Sequence, residues 1–252
     1  MQVNCKNRLV DFNISENISD AINIYYTDSR FFTNETEMLT GLLSKDEINQ
    51  AKRFRRTDDV SSYMVSHAIL RCLISERNKI KPNKINIESK DNQKPYVKNL
   101  ELDFNISHSD NLCCIAIANS PDLIIGIDIE IIKKIKDFKQ IARNYMSGNE
   151  QNYILDREIS EENKQLRFME IWTRKEALLK MTGKGLVNDL KSIEVLNGDN
   201  IVLCNELEDA KFKTNNAFIV TYSNEQFVIS ISLNKKQKSV LKKVTHLHEW
   251  FN

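Results

Sequence analysis

The sequence predicts an α+β fold made of two similar halves, residues 1–121 and 122–252, related by a pseudo-twofold duplication with a cleft between them. Three observations predict it. F-N-I-S-H-S-D-N-L-C-C-I-A-I from Phe104 resembles F-I-V-T-Y-S-N-E-Q-F-V-I-S-I from Phe218, both reading strand, turn, strand with apolar residues in matching places. Upstream of each, H-A-I-L-R (His67 to Arg71) parallels E-A-L-L-K (Glu176 to Lys180), each opening the second half of a helix. The order helix, strand, hairpin recurs in both halves. Two copies make paired halves rather than a solenoid, and the space between them is a natural place for a ligand.

Taken in chain order, residues 1–30 alternate loosely and predict a strand over Ala21 to Tyr26. Ser44 precedes acids in S-K-D-E, the pattern of an N-cap, and predicts a helix through Ile48, Ala51 and Phe54. Lys52, Arg53, Arg55 and Arg56 crowd its end, where they either complement the helix dipole or form an anion patch. A second helix is predicted over Asp58 to Asn78, closed by Pro82. Strands follow at Ile85 to Glu88, Phe104 to Ser107 and Leu112 to Ala118. Beyond Pro121 come the alternating strand I-G-I-D-I-E (Ile125 to Glu130) and a helix over Asp137 to Tyr145. A polar stretch over Ser147 to Asn152 precedes a further helical segment. The strongest helix spans Glu161 to Thr182 and stops at Gly183 and Gly185. Strands are predicted at Ser192 to Leu196, Ile201 to Cys204, Ala217 to Tyr222 and Phe227 to Leu233, and the Lys-rich tail reads as solvated surface.

Bulk properties narrow the function. The 252 residues can bury a substantial core, and a formal net charge of +1 argues against a general nucleic-acid binder. No apolar run approaches the ~20 residues of a membrane span, and the N-terminus lacks an apolar signal core. The five cysteines (5, 72, 113, 114 and 204) are scattered without a C-x-x-C, as expected for reduced structural thiols in a cytoplasmic protein. Cys113 and Cys114 are strand neighbours and should point to opposite faces. His246 and His248 lack nearby partners for a metal site.

Chemistry concentrates in a few places. Alternation puts Asp128 and Glu130 on one face of their strand, about 7 Å apart, with Gly126 leaving room for something to come close. Side-by-side carboxylates suit a hard divalent cation such as Mg²⁺, and also an ordinary acidic surface. Helical projection places Glu176 and Lys180 about 40° apart on one face of their helix. There they lie among Trp172, Met169, Leu166 and Ala177, with Glu170, Arg167 and Arg174 on the solvent side. Such a pair is either a buried salt bridge or a site; beside Asp128 and Glu130, Glu176 completes a three-carboxylate set and Lys180 suits a phosphate. His108, between Ser107 and Ser109, reads as a structural histidine or a phosphate contact, and Lys94–Pro95 as a proline-fixed turn.

K-P-Y-V, F-N-I-S-H-S, I-G-I-D-I-E and W-T-R-K-E-A-L-L-K-M-T-G-K-G-L, in that order and at these spacings, resemble the 4′-phosphopantetheinyl transferases of the Sfp type over roughly residues 44–190. The basic residues at 52, 53, 55 and 56 match the family's coenzyme A contacts only approximately. The resemblance implies transfer of the 4′-phosphopantetheine arm of coenzyme A to a serine of an apo acyl or peptidyl carrier protein, with release of adenosine 3′,5′-bisphosphate. It implies Mg²⁺ (or Mn²⁺) on Asp128, Glu130 and Glu176, and Lys180 with Lys175 at the phosphoryl group. The base would be Glu176 or a metal-bound water. Ser107 and His108 would hold a coenzyme A phosphate, Lys94 and Pro95 the adenosine end, with Arg53 helping there. A monomer is expected, its two halves replacing two subunits. A Mg²⁺-dependent phosphohydrolase acting on a nucleotide pyrophosphate, or a nuclease, could use the same carboxylates but leaves the histidine and K-P-Y-V motifs unexplained. A non-catalytic coenzyme A-binding module would not need all three carboxylates.

Overall fold

The computed structural model of the chain describes residues 21–89, 94–183, 185, 190–197, 201–202 and 216–247. The loosely alternating residues 1–20, the strand end at Cys204, and Cys5 and His248 lie outside the described residues.

Strand β1 (Ile22–Asp28) buries Ile22 and Ile24 completely, as its alternation predicts. A short 3₁₀ turn capped by Asp28 and helix α1 (Thr36–Leu42) follow; the sequence reading did not foresee either. Helix α2 (Lys45–Ala51) starts at Ser44 with a reciprocal capping box: Ser44 N–H donates to Glu47 Oε2 at 2.8 Å and Glu47 N–H to Ser44 Oγ at 3.2 Å. It stops short of Phe54, because Arg53 N–H and Phe54 N–H donate to Gln50 O and Ala51 O, three residues back, and tighten the end into turns. Helix α3 (Thr57–Asn78) closes on Lys79 in the left-handed region, φ 56°. The two-residue strands β2 (Ile87–Glu88) and β3 (Tyr96–Val97) pair as a small hairpin, so K-P-Y-V ends in a strand.

Strands β4 (Phe104–Ser109), β5 (Leu112–Ile117) and β6 (Ile125–Ile131) come next, β4 running on through His108. After helix α4 (Phe138–Tyr145), the polar stretch at Ser147 is itself the start of helix α5 (Gly148–Ile154), opened by a second capping box between Ser147 and Glu150. Helix α6 (Glu161–Thr182) has the predicted bounds and ends on Gly183, φ 72°. Strands β7 (Ile201–Val202), β8 (Asn216–Ser223), β9 (Phe227–Leu233) and β10 (Ser239–Lys243) complete the order.

One prediction is overturned here and another is incomplete. Ser192 to Leu196 is not a strand: a 3₁₀ turn over Leu190–Ser192 leads into irregular backbone. Its polar groups are taken by side chains instead of a neighbouring strand. Val195 N–H donates to Glu150, Leu190 O and Ile193 O accept from Lys175, and Leu196 O accepts from Arg174. The Lys-rich tail, in turn, is not merely solvated surface, since β10 pairs parallel to β1, Ile22 opposite Ser239. Residues 239–247, placed by the sequence reading in the second half, therefore join the first, with Val244 and Leu247 buried in its core.

The strands form two four-stranded sheets, β10-β1-β5-β4 and β6-β9-β8-β7. Ile22, Ile24, Cys114 and Ala116 of the first meet Ile125, Ile127, Ile129 and Ile231 of the second in a buried apolar layer. Helix α3 covers the outer face of the first sheet and α6 that of the second. Cys113 and Cys114 do face opposite ways, one under α3 and one between the sheets. Burial pushes the Cys72 and Cys113 thiols up to about 12, which suits structural residues. Gly126 admits α6: a Cβ there would stand 2.1 Å from Ala177 O and 2.2 Å from Met181 N. What comes close at this glycine is the helix backbone itself.

Candidate active site

The two sheets meet edge to edge at β4 and β6 through side chains rather than a backbone ladder. Alternate residues from Asp103, just before β4, through Ser109 form a polar comb. Asp103 Oδ2 accepts Ile125 N–H at 2.7 Å, Asn105 Oδ1 accepts Ile127 N–H at 2.8 Å, and Ser109 Oγ accepts Ile131 N–H at 3.2 Å. The constant offset of 22 residues means that the strands run parallel across this seam. The same comb holds the two acids of I-G-I-D-I-E. Ser107 Oγ donates to Asp128 Oδ1 at 2.9 Å and Ser109 Oγ to Glu130 Oε2 at 2.8 Å. Sequence reasoning singled out Ser107 but missed Asp103, Asn105 and Ser109, although their period of two was legible.

Lys180 reaches the seam from α6, donating to Asp128 Oδ1 at 2.6 Å and to Ser107 Oγ at 2.8 Å. Glu176, one turn earlier, lies within the field of Asp128 and Glu130. Burial, then the Asp128 charge, push its carboxyl above the ordinary range, against the pull of Lys180. Asp128 is likewise raised by burial, with Lys180 and Ser107 opposing, and Glu130 by burial and by Asp128, with Ser109 opposing. His108 shares this field: partial desolvation and the Lys180 ammonium lower its imidazole, while Asp59 and Asp128 pull the other way. Asp128, Glu130, Glu176, Lys180, Ser107 and His108 thus come from both halves into one neighbourhood.

Other predicted residues lie elsewhere. Lys94 is a tie at the upper end of the seam, donating to Asp103 Oδ2 and, at 2.5 Å, to Ile125 O. Pro95 and Arg53 line a cavity of about 510 Å³ on the first half, together with Gln50, Tyr63, His67 and Glu88. His67 stacks on Tyr63 with ring centroids 3.9 Å apart, and its imidazole is lowered by burial. His108 is among the charged groups that act on the His67 imidazole. Lys175 is not brought to the carboxylates: it is buried and bound to Glu150 at 2.9 Å. The helical projection also misplaced two residues of α6. Glu170 is buried beside Ser223, and Arg174 is turned inward onto Thr221 and Leu196 O, because β8 covers that side of the helix.

The donor set can be tested against a hard divalent ion. Asp128 Oδ2 is buried and accepts no hydrogen bond, which is costly for a carboxylate oxygen unless a cation meets it. Burial raises all three carboxyls, and the Asp128 charge adds to the rise at Glu130 and at Glu176, as for acids gathered at one cation site in its absence. Among the described residues no three such side chains form a ready ligand cluster; Lys180 and Ser107 hold Asp128 Oδ1, and Ser109 holds Glu130 Oε2. The chemistry of the set fits Mg²⁺.

Residues 124–232 match the family described as the 4′-phosphopantetheinyl transferase superfamily, and residues 32–120 match the family described as 4′-phosphopantetheinyl transferase, N-terminal. The transferase psf-1 of Bacillus pumilus is 31% identical over 173 residues, 68% of this chain and 71% of the relative. The transferase ffp of Bacillus subtilis is 30% identical over 171 residues, 68% and 73% of the two chains. The chain belongs to the Sfp-type 4′-phosphopantetheinyl transferases. Sfp of Bacillus subtilis (strain 168) is 29% identical over 171 residues, 68% of this chain and 73% of its own. As a phosphopantetheinyl transferase this chain is an enzyme, with the seam at the meeting of its two matched regions. No helix among its described residues is long and apolar enough to cross a membrane.

Proposed function

We propose that this transferase moves the 4′-phosphopantetheine group of coenzyme A onto a serine hydroxyl of an apo acyl or peptidyl carrier protein, with Mg²⁺ as its cofactor and adenosine 3′,5′-bisphosphate as the released product. The observation that carries the proposal is the seam itself, where Asp128, Glu130, Glu176 and Lys180 gather beside His108.

Asp128, Glu130 and Glu176 would hold the ion, and Mn²⁺ could replace it; when bound, it neutralises charge on the pyrophosphate oxygens. The serine oxygen forms a bond to the phosphorus bearing the pantetheine arm, and the bridging oxygen leaves with the nucleotide. Glu176 takes the serine proton. Its carboxyl, raised by burial and by the neighbouring Asp128 charge, is more basic than a free glutamate, which suits that role. Lys180 stabilises charge that builds on the phosphoryl oxygens, for which it must exchange part of its hold on Asp128. Ser107 and His108 hold a phosphate of coenzyme A. The cavity carrying Arg53 and Pro95 receives the nucleotide end, and Lys94 acts there by fixing the seam.

The pseudo-twofold duplication with a cleft at its centre is part of the same proposal. Helices α3 and α6 are each 22 residues long and each end on a left-handed cap. Each is also preceded by a capping-box helix. This pairing supports aligning Arg71 with Lys175, five residues away from the alignment of H-A-I-L-R with E-A-L-L-K. The protein acts as a cytoplasmic monomer, with no membrane or nucleic-acid partner.

Incubation with coenzyme A, Mg²⁺ and several unrelated apo carrier domains, followed by weighing the carriers, tests the function. A phosphopantetheine adduct is expected. Phosphate release from coenzyme A alone would favour a phosphohydrolase, and binding without turnover a non-catalytic module.

A further inference from the structure

The lysine beside Glu176 in the W-T-R-K-E motif invites assignment to the phosphates, and the structure points elsewhere. Lys175 is only 1% exposed and its ammonium has three donors. One meets Glu150 Oε2 at 2.9 Å, one Leu190 O at 3.0 Å and one Ile193 O. Glu150 is fully buried and equally committed. Its Oε2 also accepts Ser147 N–H at 2.8 Å, and its Oε1 accepts Val195 N–H at 2.8 Å. Burial closes both partners off from a ligand.

The first half contains the same device. Glu47, the capping-box residue of α2, accepts Arg71 Nε at 2.7 Å; Arg71 is 1% exposed and donates to Pro82 O at 2.6 Å and Ile85 O at 2.9 Å. In each half a capping-box glutamate clasps a cation on the long helix, and the cation clasps two carbonyls of the segment that follows that helix. In the first half the long helix carries none of the three carboxylates. In the second half the next residue on the helix is Glu176, about 100° further round, and Lys180 lies one turn on.

We propose that Glu150 and Lys175 are a positioning pair. Together with the close crossing at Gly126, they fix the roll of α6 about its axis. The roll sets where Glu176 and Lys180 stand against Asp128. Lys175 acts through Glu176 and makes no contact with coenzyme A. This rests on the proposed transfer from coenzyme A, so the unmodified chain is measured first, and absence of transfer there overturns that reading rather than the roles within it.

Lys175→Met alone leaves the Glu150 carboxylate buried without its cation and should lower the melting temperature. Glu150→Gln/Lys175→Met, which removes both charges and nearly preserves volume, should recover most of that loss. In the recovered double variant, the coenzyme A Kd by calorimetry should stay within about threefold of the unmodified enzyme while kcat falls about tenfold, because α6 is less firmly held. A Kd weakened tenfold or more in the folded double variant would place Lys175 on the cofactor and overturn the proposal, as would an unchanged kcat. Should the double variant not fold, Glu150→Gln decides alone. It keeps Lys175 and its charge, and is expected to lower kcat with Kd unchanged; no change in kcat refutes the positioning role.

Discussion

Asp128 concentrates the site's electrostatics in one side chain. Its Oδ1 is shared by Lys180 and Ser107, while its Oδ2 is buried and accepts nothing. Asp128→Asn should therefore leave stability within about 1 kcal/mol, the lost ion pair being offset by relief of desolvation, while transfer falls by about 10²-fold or more; circular dichroism and the carrier assay check the two halves of that statement. Proton linkage gives a second test. Asp128, Glu130 and Glu176 all have raised folded values, so the folded chain holds protons that the unfolded chain has released. Their contribution is full below the ordinary carboxylate range and is lost as pH rises through the raised values. Without divalent ions, melting temperature should thus gain from these groups on acidification towards about pH 5. Mg²⁺ should stabilise more at neutral pH than there; equal Mg²⁺ shifts at both would argue against the three carboxylates as its site.

At the scale of elements, caps and glycines in the sequence translated directly into helix ends, and side-chain clasps did not. Ser44 caps its helix and Gly183 ends α6 as read, while Ser147 and Ser160, not read as caps, cap α5 and α6 by the same chemistry. Residues 192–196 had the apolar alternation of a strand but became irregular, because Lys175, Arg174 and Glu150 satisfy the backbone that a neighbouring strand would otherwise pair. Gly126 shows the reverse: local sequence marks a close approach without saying of what. Gly126→Ala places a methyl inside the backbone of α6 and should cost at least about 2 kcal/mol in a denaturant titration. It should also depress transfer, since α6 carries Glu176 and Lys180. A neutral effect on both would mean that the helix does not cross β6 so closely.

Over the whole molecule, the chain closes by returning its last strand to the first half. β10 covers the β1 edge, so removing residues from Ser239 onward would leave Ile22 to Tyr26 with an unpaired ladder and strip Val244 and Leu247 from the core. Such a truncation is expected to lower the melting temperature by on the order of 10 °C or to aggregate, and a soluble protein of unchanged melting temperature would contradict the parallel pairing. The α+β class, the bounds of α6, the β4–β5 and β8–β9 hairpins and the acids of β6 were legible because each rests on local periodicity, capping or turn chemistry. The sequence by itself determined which side chains carry charge and that Asp128 with Glu130, and Glu176 with Lys180, share a face of strand and helix. Only the tertiary structure decided that Lys180 meets Asp128 and Ser107 across the seam, while Lys175, its neighbour on the same helix, turns inward to Glu150. The physical reason is that a charge's partner lies far along the chain, and burial, which no local pattern encodes, selects the one partner able to satisfy it.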